Sequence, residues 1–182
     1  MIFTKTKLDG VYIITPRIFT DTRGYFFESY NQREFKQNGL FYNFVQDNQS
    51  FSSYGTIRGL HFQKGNHAQS KLVRVISGEV LDVAVDIRRN SPTYGEHIAV
   101  HLSGENQQQL LIPKGFAHGF SVLSETALFA YKCDTFYCKE SEGGICVNDP
   151  DLNIDWEIDL SKANILDRDL NHPKLKDLEP CF

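Results

Sequence analysis

The sequence contains no apolar stretch approaching the length of a membrane span. Its first residues, Met1 to Thr6, carry lysines among apolar residues but no apolar core segment and no small-residue cleavage site. Neither a membrane protein nor an exported one is expected, so the expected location is cytoplasmic. Blocks of like charge are also missing: the net charge is −4, with acidic and basic residues interspersed. Broad binding to nucleic acid or to a membrane surface needs a basic face and is not expected. A small phosphate ligand held by a few arginines is compatible with this balance. There is no linker, repeat or break in composition across the 182 residues, which predicts one domain over 1–182. Cysteine is sparse, and Cys133, Cys138, Cys146 and Cys181 form neither a C-x-x-C pair nor a zinc-ribbon spacing. Free thiols are expected, with no role assigned to them.

Hydrophobic residues make up 41% and charged residues 23%, ordinary usage for a globular chain and contrary to disorder. The prevailing pattern is short strands separated by Gly, Pro, Asn and Ser. Val11 to Ile14 reads as a strand ended by Pro16, and Gly24 to Ser29 as another extended run. Asn31 to Asn38 is a helix candidate, with Asn31 as N-cap, Glu34 three residues on and Gly39 as the stop. From Val45 onward the chain reads almost entirely as β. Lys71–Ile76 and Glu79–Arg88 flank Ser77-Gly78, a plausible two-residue hairpin turn. Leu81, Val83, Val85 and Ile87 alternate with Asp82, Ala84 and Asp86, the pattern of a strand with one core face. Further strands are expected at 98–102, 109–112 and 127–132. The predicted class is mainly β, a sandwich or barrel, with an Asp- and Asn-rich C-terminal third wrapping it and a short helix near Pro173 to Leu178.

Several stretches carry chemical potential. In Arg58-Gly59-Leu60-His61-Phe62-Gln63 a cation and an imidazole stand three residues apart. On a strand they face opposite ways, unless Gly59 permits a bulge that brings them together. Arginine suits a diphosphate and histidine suits proton transfer near neutral pH; a surface arginine and a core histidine are the plainer alternative. Lys71 either points into solvent, the usual outcome, or inward against an anion. Pro113-Lys114-Gly115-Phe116-Ala117-His118 matches the second motif of the cupin barrels, whose histidine points inward. The earlier His-x-His of metal-binding cupins is missing, since His61 is followed by Phe62-Gln63 and His67 lies six residues away. A transition-metal site needs three or four protein ligands, so none is expected. Tyr131 and Tyr137 supply phenols that either pack or act as acids. The carboxylates of Ile165 to Asp169 are either solvated or placed to orient an imidazole.

Taken in order, these pieces resemble the family of dTDP-4-dehydrorhamnose 3,5-epimerases over nearly the whole chain. The resemblance rests on Phe19 to Glu28, Gln46 to Ser50, Arg58 to Gln63 and Lys71 to Val75, then Asp86-Ile87-Arg88 with Ser91-Pro92-Thr93 and Pro113 to Phe120. It closes with Tyr131-Lys132, Asn148-Asp149-Pro150 and Ile165 to Asp169. It implies a cupin-like jelly-roll β-barrel and a homodimer without metal or organic cofactor. The implied substrate is dTDP-4-keto-6-deoxy-D-glucose, epimerised at C3 and C5. By resemblance, His61 is the base, oriented by Asp169, and Tyr131 is the acid on the opposite face. Lys71 stabilises the enolate oxygen and His118 adds a donor. Arg58 looks like a diphosphate ligand, while Gln46, Asn48 and Tyr137 complete the pocket. Arg23, Phe26 and Glu28 resemble residues that reach the nucleotide from the neighbouring subunit, with Phe26 or Tyr137 stacking on thymine. Relatives of this kind also include single-site epimerases and ketoisomerases, and retention of Tyr131 favours an inverting enzyme over one lacking the second-face proton donor. A cupin that only binds a nucleotide sugar has no use for a base, its carboxylate and an opposed phenol. The chain departs from the family pattern at Val147, where Trp is usual before Asn148-Asp149, and at Asp167-Arg168-Asp169, where Ser-x-Lys-Asp is usual.

Overall fold

The computed structural model describes residues 1–182. Strands β1 (Ile2–Lys5) and β2 (Tyr12–Thr15) precede a small hairpin of β3 (Phe19–Asp21) and β4 (Gly24–Phe26). Helix α1 (Gln32–Gln37) leads into β5 (Gln46–Ser53), β6 (Ile57–Gln63), β7 (Lys71–Ser77) and β8 (Glu79–Asp86). Then come β9 (His97–Ser103), β10 (Gln109–Ile112), β11 (Phe116–Val122), β12 (Thr126–Cys133) and β13 (Glu142–Gly144). The C-terminal arm holds one helical turn, α2 (Asp167–Leu170), and a 3-10 turn at Leu175–Asp177 where a short helix was expected.

Two antiparallel sheets face each other, one ordered β1-β2-β10-β7-β12-β5 and the other β13-β6-β11-β8-β9. This is the sandwich or barrel expected from the strand spacing, in the jelly-roll form that the family resemblance implies. Between the sheets lies a core that includes Val73, Val80, Ala84, Phe116, Phe120 and Phe129. A second apolar layer covers the outside of the five-stranded sheet, where Leu81, Val83 and Val85 meet Ile145, Val147 and Trp156 of the arm. A third, smaller one forms under α1, whose buried Phe35 packs with Ile14, Leu72 and Leu111 on the six-stranded sheet.

Helix α1 begins and ends where the sequence places it. The Asn31 side chain accepts from the amides of Arg33 and Glu34, and Gly39 takes the left-handed φ of 77° that ends the helix. Glu34 does not reach back to its own cap; its carboxylate instead accepts from the Met1 ammonium at 2.7 Å. Three further expectations change. The extended run from Gly24 is a strand only to Phe26. Ser77-Gly78 joins no hairpin, because β7 and β8 belong to different sheets. It is a corner between them: Gly78 has φ 84°, and a Cβ there would strike the Thr126 carbonyl oxygen, so the crossing chains leave room only for glycine. Finally, β8 is buried on both faces, Asp82 and Asp86 included. The arm covers one face, and the face carrying the aspartates looks into the barrel.

Asp86 shows how a buried carboxylate is accommodated. It accepts from the Arg88 backbone amide and guanidinium, Ser91 Oγ and Thr93 Oγ1, which tie the β8–β9 connection into one network. Burial alone would raise its pKa, but these donors outweigh it and hold the carboxyl at about 2. The unfolded chain's value is higher, so the stabilisation is complete above about pH 4 and is lost as pH falls towards 2. Asp86→Asn is expected to lower unfolding free energy at pH 7 by about 2–3 kcal/mol. In denaturant titrations, that gap between parent and variant should narrow progressively below about pH 4.

Candidate active site

The open mouth of the barrel holds a cavity of about 400 Å³, bordered by residues of both sheets and of the arm. On β12, side chains alternate so that Ala127, Phe129, Tyr131 and Cys133 look inward, and their partners on β5 include Asn48 opposite Tyr131. β7 contributes Lys71 in phase with the core residues Val73 and Val75. From the facing sheet, β11 contributes His118 in phase with Phe116 and Phe120.

Strand β6 reaches the same cavity through an irregularity. His61 pairs with His118 and Arg58 with Phe120, so three steps along β6 match two along β11. The extra residue puts Arg58 and His61 on one face, and both border the cavity. Gly59 makes it possible: with φ 150°, its ideal Cβ would lie 2.6 Å from Gly119 Cα. Without the bulge, the period of two would send one of the pair to the outer layer.

His61 Nε2 stands 2.8 Å from Asp169 Oδ1. Burial works to raise the Asp169 pKa, but the His61 contact, the Gly59 amide and Arg168 outweigh it and hold the carboxyl below its ordinary value. An ionised carboxylate is an acceptor only, so Nε2 carries the proton and Nδ1 is left for a ligand. Asp169 is brought there by the arm. The Val147 amide donates to the Asp169 carbonyl, the Ile57 amide to Asn164, and the Leu175 amide to the Asp149 carboxylate. Val147 itself is buried beside Trp156, whose indole donates to the Val147 carbonyl at 2.9 Å. The departure from the usual Trp therefore alters packing behind the site and does not touch the cavity wall.

Across the cavity, burial raises the Tyr131 pKa, which keeps its phenol protonated. Lys71 Nζ lies 3.5 Å from the His61 carbonyl and 6.0 Å from the Tyr131 ring centre. Burial lowers its pKa, opposed by the nearby Cys133, Asp82 and Glu142. Arg58 Nε donates to Ser52 Oγ at 3.0 Å. Tyr137 is held from both sheets: its amide donates to Gln46 Oε1, and the next amide, of Cys138, donates to Gln63 Oε1. Gln46 thus supports the loop and does not border the cavity, whereas Asn48 and Tyr137 do. Arg23, Phe26 and Glu28 lie away from this chain's cavity. Arg23 pairs with Asp21 at 2.6 Å, Glu28 accepts from Asn31, and Phe26 is exposed on the β3–β4 hairpin.

Three site residues have no counterpart in the sequence reading. Asp82 sits 2.9 Å from His118 Nε2, a second buried His–Asp pair, and its Oδ1 is buried without a partner. Its sequence signal is the polar member of the β8 alternation falling in phase with Val80 and Ala84. Asp82 lies behind His118, whereas Glu142 and Arg168 border the cavity itself, joined to each other at 3.4 Å, with the Tyr137 hydroxyl on Glu142. They lie in a three-residue edge strand and a single helical turn, where no periodicity marks them. All four cysteines are free thiols, and no helix is long and apolar enough to cross a membrane.

A family model described as dTDP-4-dehydrorhamnose 3,5-epimerase matches residues 5–177. The dTDP-4-dehydrorhamnose 3,5-epimerase of Methanothermobacter thermautotrophicus is 50% identical over 176 residues, which cover 96% of this chain and 95% of that one. The crystal structure of the dTDP-4-dehydrorhamnose 3,5-epimerase from Elizabethkingia anophelis is 55% identical, with a TM-score of 0.94 and coverage of 97% of each chain. A dTDP-6-deoxy-D-glucose-3,5-epimerase from Legionella pneumophila, solved in complex with dTDP-4-keto-L-rhamnose, is 46% identical with a TM-score of 0.93, covering 98% of this chain and 94% of that one. This likeness bears out the cupin-like jelly roll expected from the sequence.

Removing one member of the buried His118–Asp82 pair strands the other. His118→Ala and Asp82→Ala are each expected to cost about 3 kcal/mol of stability, and the double variant clearly less than their sum. A double-mutant cycle from denaturant unfolding measures this; simple additivity would show that the two groups are not coupled.

Proposed function

The chain belongs to the dTDP-4-dehydrorhamnose 3,5-epimerase family, and on that premise we propose how its residues invert C3 and C5 of dTDP-4-keto-6-deoxy-D-glucose to give dTDP-4-keto-L-rhamnose. The observation that carries the proposal is that His61 belongs to one sheet and Tyr131 to the other, with the cavity between them. Inversion needs a base on one face of the carbon and an acid on the other, and two opposed sheets supply two faces.

The C4 ketone acidifies the hydrogens at C3 and C5. His61 Nδ1 takes such a proton, and the C–H electron pair moves into an enolate with its charge on O4. Asp169 acts through His61, holding the tautomer that leaves Nδ1 unprotonated and balancing the imidazolium as it forms. Tyr131 then gives its phenolic proton to the same carbon from the opposite face. Solvent takes the proton from the imidazolium and returns one to the phenolate, so the cycle balances. Lys71 donates to O4, while His118, whose Nε2–H is taken by Asp82 and whose pKa burial lowers, offers its Nδ1 as an acceptor to a hydroxyl of the substrate. A buried ammonium lacks a full partner before reaction and gains one as the enolate forms, so the interaction favours the transition state over the ground state. Arg58 holds the diphosphate, Asn48 the sugar or base, and Gln46 acts through the Tyr137 loop it supports.

Residues 1–182 form one catalytic unit that acts as a homodimer in the cytoplasm. The β3–β4 hairpin pairs Phe19 with Phe26 on one exposed face, an apolar patch suited to a partner. Placed over a neighbour's cavity, it brings Arg23 and Glu28 to the nucleotide and Phe26 or Tyr137 against thymine.

Proton NMR of dTDP-4-keto-6-deoxyglucose in D₂O tests the chemistry, with deuterium expected at both C3 and C5. His61→Asn should reduce exchange by on the order of 10²–10⁴-fold while dTDP still binds; turnover within about tenfold of the parent removes His61 from the base role. Tyr131→Phe should keep exchange at one carbon and lose net inversion. Equal loss of both contradicts its role as the acid. For the shared site, His61→Asn mixed with an Arg23→Ala, Phe26→Ala variant should regain part of the parental activity, since mixed dimers contain one intact site. Two inactive proteins that stay inactive on mixing, despite exchanging subunits, place both sets of residues in one chain's site.

A further inference from the structure

His172 has no part in the proton transfers described above, yet it stands beside them. Its Nε2 is 3.9 Å from Asp169 Oδ1, and its ring meets the His61 ring edge-on, with centroids 5.8 Å apart. Gly144 seats it: a Cβ at that position would collide with the His172 ring, so the strand edge leaves just enough space for an imidazole. His61, Asp169 and His172 each offer one ligand atom, and these atoms lie within 4.8 Å of one another.

We propose that His61, Asp169 and His172 form an inhibitory zinc site, in which the metal shuts off the enzyme by engaging its base. Two imidazoles and a carboxylate are a donor set that zinc prefers, with water completing the tetrahedron. At metal–ligand distances of about 2.0–2.2 Å, neighbouring donors stand roughly 3.3 Å apart. The 2.8 Å His61–Asp169 contact opens slightly, the 3.9 Å His172–Asp169 gap closes by a similar amount, and the two imidazole nitrogens, within 4.8 Å of each other, approach by up to about 1.5 Å, shifts within the reach of side-chain rotation. The two histidines are each about one-fifth exposed, which gives an ion a way in, while Asp169 is buried behind them. Arg168 is the opposing charge, with Nε 3.3 Å from Asp169 Oδ1. It has a second carboxylate in reach, Glu142 at 3.4 Å, to which it stays paired when a cation takes the Asp169 oxygen.

The consequence for catalysis follows from imidazole chemistry and rests on the role given to His61 above. A neutral imidazole that binds metal through Nε2 carries its proton on Nδ1. Zinc therefore takes the place of the Nε2 proton, that proton appears on Nδ1, and the nitrogen that must accept from C3 or C5 becomes a donor. No net proton is released and no bond of the substrate is involved. None of these three residues is His118, the inward histidine of the cupin motif, so the site is separate from that position.

The test uses the full-length protein, freed of metal with a chelator and titrated with zinc alone. One zinc per chain should bind by calorimetry, turnover should fall as it binds, and EDTA should restore it. His172→Ala and the bulkier His172→Gln should keep parental turnover without zinc. They should need at least about 10–100-fold more zinc for the same inhibition, the loss that even an outer partner of a metal ligand brings. The glutamine variant fills the space beside Gly144, so the comparison survives if alanine destabilises the arm. Equal zinc sensitivity in the parent and both variants overturns the site, as does the absence of stoichiometric binding; either result leaves the epimerase reading intact. Zinc bound through His172 with turnover undiminished overturns the inhibitory role, because the metal then leaves the base free.

Discussion

Everything at the mouth of the barrel depends on the hydrogen bond between His61 and Asp169, two residues 108 positions apart in the chain. It forms only if two conditions hold. Strand β6 must gain one residue at Gly59, and the C-terminal arm must be docked along the outside of the five-stranded sheet. The first condition is met by a backbone approach that any side chain at Gly59 would block. The second is met by Trp156 and Val147 in the outer apolar layer and by backbone bonds from Ile57 and Leu60 to the arm. Packing far from the cavity therefore sets the tautomer of the imidazole inside it.

The barrel interior is divided between two kinds of burial. Its closed end is filled by apolar side chains, while its open end accumulates Lys71, Asp82, His118, Arg58 and the His61–Asp169 pair. Desolvating such groups costs several kcal/mol each unless they find partners. Most do: His118 has Asp82, and Asp169 has His61, Arg168 and the Gly59 amide. Asp82 Oδ1 remains unpaired and Lys71 has only a carbonyl at 3.5 Å. Of the two, Lys71 borders the cavity, where its remaining N–H donors are open to an incoming acceptor. Asp86, whose oxygens accept from several donors, is by contrast a fully partnered buried carboxylate.

Much of this was legible in the residues. Asn31 and Gly39 bracket α1 because a cap side chain and a left-handed glycine are local requirements, satisfied within a few residues. The strands at 97–103, 109–112 and 126–133 were visible through period and punctuation. The inward histidine of Pro113 to His118, and Arg58 and His61 brought together by a glycine bulge, could be anticipated as possibilities. What misled was any feature whose outcome depends on a distant partner. Ser77-Gly78 has the composition of a hairpin turn, and only the competing pairing of β7 with β10 and β12 makes it a corner. The aspartates of β8 look like a solvent face because nothing local announces that the arm will cover the other side.

By itself, the sequence determined the class of fold, the family and the inventory of reactive groups. Each of these follows from period, turn chemistry or an ordered set of motifs, which are properties of neighbouring residues. The tertiary structure alone decided which of those groups meet. It put His61 and Tyr131 on opposite sheets, seated Asp82 behind His118, and brought Glu142, Arg168 and His172 to the rim around Asp169. The physical reason is that hydrogen bonding and desolvation act over about 3 Å in space, whatever the separation in sequence. No local pattern encodes a contact that exists only once two sheets and an arm have closed around it.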